Sequence, residues 1–327
     1  MYAKVTRMAW QSSAGAIVLL PTLMLHPTAA NTPCAPEALG VSRTLPIGTA
    51  GGLQVGLKTY PQSLVLEDHE VVLTFDDGPA AETTPAILNA LAKECVKATF
   101  FIIGRNAESL PSIVKRQVAE GHTVGHHSYS HPAVTLRQLS EHAARDEILK
   151  GFAADDKAAY GTAVGAPRVP FFRFPGFADT PQLVDWLATQ NVAVFGADFW
   201  ASDWLDITPE KELALILERL EKERRGVLLL HDTRHQTAAM LPQLLREMKQ
   251  RGFKIVHIVP GSQPNATRAA PEGWTSETDK IIADVFAKSH HHARAHSPAK
   301  NGAMGETKAP DAMPPTSEPK GPPSPAQ

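Results

Sequence analysis

Between about residues 67 and 259 the chain alternates short apolar runs with amphipathic stretches, and this rhythm restricts the fold more than any other feature. The runs fall at 71–75, 98–103, 122–125, 169–174, 192–197, 226–230 and 253–259. Helical patterns lie near 84–94, 109–120, 135–150, 180–190, 209–224 and 236–251. Val71 to Phe75 is β-branched and aromatic without polar alternation, the mark of a strand covered on both faces, as parallel strands are. Seven such runs alternating with six helices predict an α/β fold around a parallel sheet, open or closed into a barrel. Thr84-Pro85, Thr180-Pro181 and Thr208-Pro209 each offer a capping hydroxyl ahead of a proline at the first helical position, and Thr135 with Gln138 offers a capping box.

The flanks differ in composition from this central part, expected to be one catalytic domain over 67–260. Lys4 and Arg7 precede an apolar stretch at 14–25 and the small residues Thr28, Ala29 and Ala30. The apolar core is short and Pro21 interrupts it, so 1–30 reads as a cleavable export signal leaving no membrane span. The protein is therefore expected to be periplasmic or secreted. Residues 31–66, rich in Gly, Pro and Thr, read as an extended leader. Eleven of the 27 prolines fall at or after Pro260, so 261–327 reads as a largely disordered Pro/Ala-rich tail. Within it, Ile281, Ile282, Val285 and Phe286 form an amphipathic pattern over 276–288 that is expected to dock on the domain. Cys34 and Cys95 are the only cysteines and can form one disulfide in an oxidising compartment. A formal net charge of -2 argues against nucleic acid as a partner, and a monomer is expected.

Chemistry-bearing side chains cluster after the apolar runs. Asp76 and Asp77 end the first run in adjacent carboxylates, which repel unless a cation separates their roles. Four histidines in ten residues offer two i, i+4 pairs, His122 with His126 and His127 with His131. Neutral imidazoles at that spacing can share a divalent cation with a carboxylate. The second pair is preferred, because His122 sits in or before an apolar run and His127 and His131 lie beyond it. Arg173, hemmed by aromatics and prolines, calls for an anionic partner if it is buried. Trp200 and Trp204 stand beside acids, a combination suited to stacking on sugar rings, and His231 ends another apolar strand. Asp76, Asp77, His127, His131, Asp203 and His231 fall just beyond the C-terminal ends of predicted parallel strands and Arg173 lies at the end of one, where active sites of barrels and doubly wound sheets gather.

These segments resemble the five motifs of the polysaccharide deacetylases, the NodB-homology domain of carbohydrate esterase family 4. The likeness rests on Thr-Phe-Asp-Asp-Gly-Pro at 74–79, His-Ser-Tyr-Ser-His at 127–131, Arg-Phe-Pro-Gly at 173–176, Asp203-Trp204, and Leu228 to His231. It implies a distorted (β/α) barrel with about seven parallel strands. It also implies Asp76 as catalytic base, Arg173 as its orienting partner, His231 as catalytic acid supported by Asp203, and Asp77, His127 and His131 as ligands of Zn2+ or Co2+. Asp198 lies two positions earlier than that family's usual leading acid, so no role is carried over to it. The implied reaction removes N-acetyl groups from N-acetylglucosamine units of a polysaccharide or oligosaccharide. An O-acetyl carbohydrate esterase would use the same residues. A non-catalytic carbohydrate-binding relative would be expected to lack one of the five motif residues, all of which are present, and a two-metal phosphatase or nuclease would need a second ligand set.

Overall fold

The structure is a computed structural model that describes residues 34–133 and 135–284. The predicted export signal, most of the tail, and Val285 and Phe286 lie outside the described residues. In chain order the first strands are β1 (Arg43–Gly48), β2 (Gln54–Val55), β3 (Gln62–Leu64) and β4 (Glu70–Asp76). Then come α1 (Thr83–Lys93), β5 (Thr99–Ile102), α2 (Gly104–Ser109), α3 (Pro111–Ala119), β6 (Thr123–His126), α4 (Glu141–Tyr160) and β7 (Phe171–Phe172). The series continues with α5 (Pro181–Thr189), β8 (Ala193–Phe195), β9 (Phe199–Trp200), α6 (Pro209–Glu223), β10 (Gly226–His231), α7 (His235–Gln250), β11 (Lys254–Gly261) and β12 (Thr267–Ala269).

Each of the seven apolar runs becomes a strand, and the main sheet pairs in parallel throughout. β4 is central: it pairs with β10 on one side, and on the other with β11 at its start and β5 at its end. From β5 the order runs through β6 and β7 to β8, while β10 pairs with β9. β8 and β9 belong to one stretch of chain interrupted at 196–198, so the sheet curls into a distorted barrel rather than an open fan. The stretch read as an extended leader includes three strands: β1 extends the sheet beyond β11, β2 joins β8, and β3 pairs antiparallel with β12. These strands are short and lack long apolar runs, so periodicity did not mark them.

The pleat sorts side chains onto two faces. Val71, Leu73 and Phe75 point outward into a core shared with α1 and α7, through Ile87, Leu91, Leu241 and Leu244. Val72 points inward with Phe101, Phe171, Phe195 and Val227, which fill the barrel. Burying each such side chain is worth about 1.5–3 kcal/mol, enough to pin the register of a strand that is buried at all seven positions. The same period puts Thr74 and Asp76 on the inward face above Val72, so a carboxylate at the end of a hydrophobic strand points into the barrel mouth.

The local capping signals operate at some helix starts and not at others. The Thr180 and Thr208 hydroxyls cap α5 and α6 by accepting from the N–H of Leu183 and Lys211. Thr84 is not a cap: α1 begins a residue earlier, and its hydroxyl accepts from Ala80 N–H and donates to Asp232. The Thr135 capping box does not form either, because Ser140 caps α4. Cys34 and Cys95 form a disulfide that ties the start of the described chain to the end of α1.

Candidate active site

The buried Arg173 guanidinium organises the barrel mouth. It is fully buried, and so is Asp76 at 2% exposure, with Nη1 donating to Asp76 Oδ1 at 2.7 Å and to Thr74 Oγ1 at 2.9 Å. Nε and Nη2 donate to the carbonyls of Phe195 and Gly196, and the Phe101 ring lies 4.3 Å below the guanidinium. Arg173 therefore satisfies the carbonyls exposed where β8 breaks before β9 while fixing one oxygen of Asp76. Burial opposes its charge, and Asp76 offsets that cost. Asp198 staples the other side of the same break, accepting from Leu57 N–H, Val227 N–H and the Ser63 hydroxyl. All three bonds are structural, which gives Asp198 a place in the fold rather than in the site.

Asp77 leaves β4 in a left-handed conformation, φ 74°, with its carbonyl accepting from Asn106. Its Oδ1 lies 3.4 Å from His127 Nε2 and 3.6 Å from His131 Nε2. One ligand atom from each of the three residues falls within 4.8 Å of the others. Asp77 Oδ1 is buried and makes no hydrogen bond, a costly state for a carboxylate oxygen unless a cation takes it. His127 Nδ1 faces the Arg173 carbonyl at 2.8 Å and must donate to it, which leaves Nε2 as the lone pair aimed at Asp77. Burial, reinforced by His127, holds the His131 pKa below its ordinary value and favours the neutral ring that a metal requires. Burial resists ionisation of Asp77, yet the close approach of His127 and the charge of His231 outweigh it and hold this carboxyl far below the usual range. Asp77, His127 and His131 thus fit a divalent metal ion.

The strand pleat also decides between the two histidine pairs. His126 points away from the mouth onto α4, where its Nδ1 meets buried Asp155 at 2.8 Å and its ring packs on Phe152. His122, on the same side of the strand, bonds the N–H of Ala98 through Nδ1. Neither reaches Asp77.

The loop carrying His127 and His131 is held by residues that sequence reasoning did not single out. The Ser128 and Tyr129 carbonyls accept from the first N–H groups of α2, and Glu147 on α4 takes both the N–H and the hydroxyl of Ser130 at 2.9 Å. Gly151 lets this loop lie on α4, since a Cβ there would sit 2.7 Å from the Ser128 carbonyl carbon. A lone glycine inside a 20-residue helix was the available signal.

His231 ends β10 directly opposite Asp76 in the β4–β10 register. Its Nδ1 meets Asp203 Oδ1 at 2.8 Å and its N–H donates to Asp203 Oδ2 at 2.6 Å, so Nε2 turns toward Asp77 Oδ2, 3.9 Å away. Burial lowers the imidazolium pKa, but Asp203, followed by Asp77 and Asp76, outweighs it and pushes His231 up to about 9. Behind Asp203 the Thr237 hydroxyl bridges to Glu212, each contact 2.9 Å, and burial with the Asp203 charge pushes Glu212 up to about 7. Of the two tryptophans only Trp204 offers a face, at 42% exposure. Trp200 is 8% exposed and covered by the Lys58 ammonium 4.9 Å from its ring. The resulting cleft of about 370 Å³ is lined at one end by Asp76, Asp77, His127 and His131 and elsewhere by Phe177, Trp204 and Leu229.

All seven residues predicted for the site meet at this mouth, directly or through one hydrogen bond. The fold and the site define a parallel (β/α) barrel carrying an Asp–His–His cluster that fits a cation, beside an Asp–Arg and a His–Asp pair. A family model described as polysaccharide deacetylase matches residues 65–195. A chitooligosaccharide deacetylase of Sinorhizobium fredii is 33% identical over 216 residues, covering 61% of this chain and 94% of that protein. A peptidoglycan-N-acetylglucosamine deacetylase of Bacillus cereus is 34% identical over 191 residues, covering 57% of this chain and 66% of its own length. Among solved structures, a Bdellovibrio bacteriovorus peptidoglycan deacetylase superposes with a TM-score of 0.59 at 31% identity, over 67% of this chain and 59% of that one. The chain belongs to the polysaccharide deacetylase family.

Proposed function

We infer that this protein is a metal-dependent deacetylase that hydrolyses N-acetyl groups on N-acetylglucosamine units of a glycan, with Zn2+ as the metal and Co2+ as a substitute. The observation that supports this most is the register of β4 against β10, which sets an acceptor carboxylate, Asp76, opposite an imidazole, His231, at the edge of the Asp77–His127–His131 set. A divalent cation held by those three would supply Lewis acidity, polarising the amide carbonyl and lowering the pKa of water toward neutrality. Asp76, one oxygen fixed by Arg173, takes a proton from the attacking water with the other. His231, charged and held by Asp203, gives its Nε2 proton to the departing nitrogen as the C–N bond breaks. Acetate and a free sugar amine leave. Trp204 offers a ring face at the cleft for the pyranose.

Export to the periplasm or beyond accords with this role, since disulfides such as Cys34–Cys95 persist in oxidising compartments. Among the described residues no helix is long and apolar enough to cross a membrane.

The test is acetate release from N-acetylglucosamine oligomers, peptidoglycan and O-acetylated xylan in parallel, before and after chelation and zinc return. Release from the N-acetyl substrates, lost on chelation and restored by zinc, is expected. Release from the O-acetyl polymer alone would refute the N-deacetylase assignment.

The pH profile tests the acid. A raised His231 pKa means the proton is present below it and lost as pH rises through about 9. A cation on Asp77 offsets that carboxylate's share, so Asp203 supplies the part that persists. Asp203→Asn should therefore move the basic limb of the kcat profile to lower pH, and an unmoved limb would remove His231 from the role.

A further inference from the structure

The geometry points to the segment after β12 as one wall of the glycan-binding cleft, with Ile281 presenting the sugar-contacting surface; this rests on the deacetylase assignment. The segment lies outside residues 65–195 that the family model matches. After β12 the chain returns across the barrel mouth and is tied to the stretch following β2. Trp274 Nε1 donates to the Leu57 carbonyl at 2.6 Å, and the N–H groups of Glu277 and Thr278 donate to the Lys58 carbonyl at 2.9 and 3.1 Å. Residues 277–284 are helical, and the Ser276 hydroxyl accepts from Asp279 N–H at their start. The Glu277 carboxylate pairs with the same Lys58 ammonium that covers Trp200. Arg137 bridges Asp279 to Asp179 from the other side.

These ties set the rotation of the helix. Thr278, Ile281 and Ile282 stand at i, i+3 and i+4 on one face. Thr278 and Ile282 are buried at 3% and 9% exposure and anchor that face, whereas Ile281 is 46% exposed and, with Thr278, lines the cleft that holds Asp76 and His231. A large apolar side chain anchored on a helix and left open to a cleft is the surface that binding, rather than packing, requires. Trp204 lines the same cleft at 42% exposure. A pyranose ring, whose C–H faces are apolar and whose edge carries hydroxyls, fits between two such walls. Ile281 is accordingly a specificity-determining residue for the glycan, acting on binding rather than on proton transfer.

The experiment compares Ile281→Asp and Ile281→Trp with the wild-type full-length chain on an N-acetylglucosamine tetramer and on nitrophenyl acetate, which carries no sugar. Ile281→Asp is expected to raise KM for the tetramer about tenfold, the loss typical of one apolar contact, with kcat changing far less. The ratio of kcat/KM on tetramer to that on nitrophenyl acetate should fall by the same factor, and Ile281→Trp should restore it. Equal losses on both substrates, or an unchanged tetramer KM, would overturn the proposal. If wild-type protein releases acetate from neither the tetramer nor peptidoglycan, the deacetylase assignment fails separately. Calorimetric titration of the tetramer then decides the wall alone: a weaker Kd for Ile281→Asp upholds it, and an equal Kd overturns it.

Discussion

Asp76→Asn is expected to reduce acetate release by about 10²–10⁴-fold, the usual contribution of a positioned general base, while leaving the bound zinc at the wild-type ratio. Asn retains the oxygen that accepts from Arg173 Nη1, so the local hydrogen bonds and the inward rotamer survive. What disappears is a second oxygen able to take a proton. The neighbouring carboxylate provides the contrast: Asp77→Asn removes charge from the Asp77–His127–His131 set and should lower zinc content along with activity. Rate assays beside metal analysis of the two purified variants separate the roles. Full activity in Asp76→Asn, or loss of zinc from it, would contradict the division of labour between the two adjacent aspartates.

Arg173→Met should be the most destabilising single change at the site. It strands the Asp76 carboxylate, 2% exposed, without its cation, and it orphans the carbonyls of Phe195 and Gly196 where the β8–β9 strand breaks. Removing one partner of a buried ion pair costs about 3–5 kcal/mol, because the remaining charge is desolvated and uncompensated. Urea unfolding should show that loss, and acetate release should fall as well, since Asp76 is no longer held. The double variant Asp76→Asn/Arg173→Met should recover part of the stability, the carboxylate that needed a partner being gone. A loss below about 1 kcal/mol in the single variant would mean that the guanidinium is not the buried clamp described, for that is the range of exposed pairs.

Much of this architecture was legible in the residue order because the forces that set it are local or periodic. Val71 to Phe75 announced a strand covered on both faces, and all seven apolar runs became strands. The proline-bearing starts of α5 and α6 were marked by Thr180 and Thr208, whose hydroxyls reach only three residues along. The same kind of signal failed at Thr84, where a tertiary partner, Asp232, claims the hydroxyl. β1, β2 and β3 were invisible for a related reason: each is completed by a strand distant in sequence, and none carries an apolar run of its own.

Sequence alone determined which side chains stand at the strand ends, because a run of buried residues must stop where the first charges appear. Asp76, Asp77, His127, His131, Arg173 and His231 were identifiable in that way, whereas Asp203 lies beyond Asp198, the first charge after its run, and was marked by the family motif. Tertiary structure alone decided how they divide. The pleat turned His127 inward and His126 onto Asp155; the β4–β10 register set His231 opposite Asp76; and the break between β8 and β9 exposed the carbonyls that hold Arg173 in place. It also returned the segment carrying Ile281 to the cleft, through backbone bonds to Lys58. Local propensity reports what a residue prefers along its own chain, whereas facing, register and closure depend on contacts between stretches that only the folded barrel brings together.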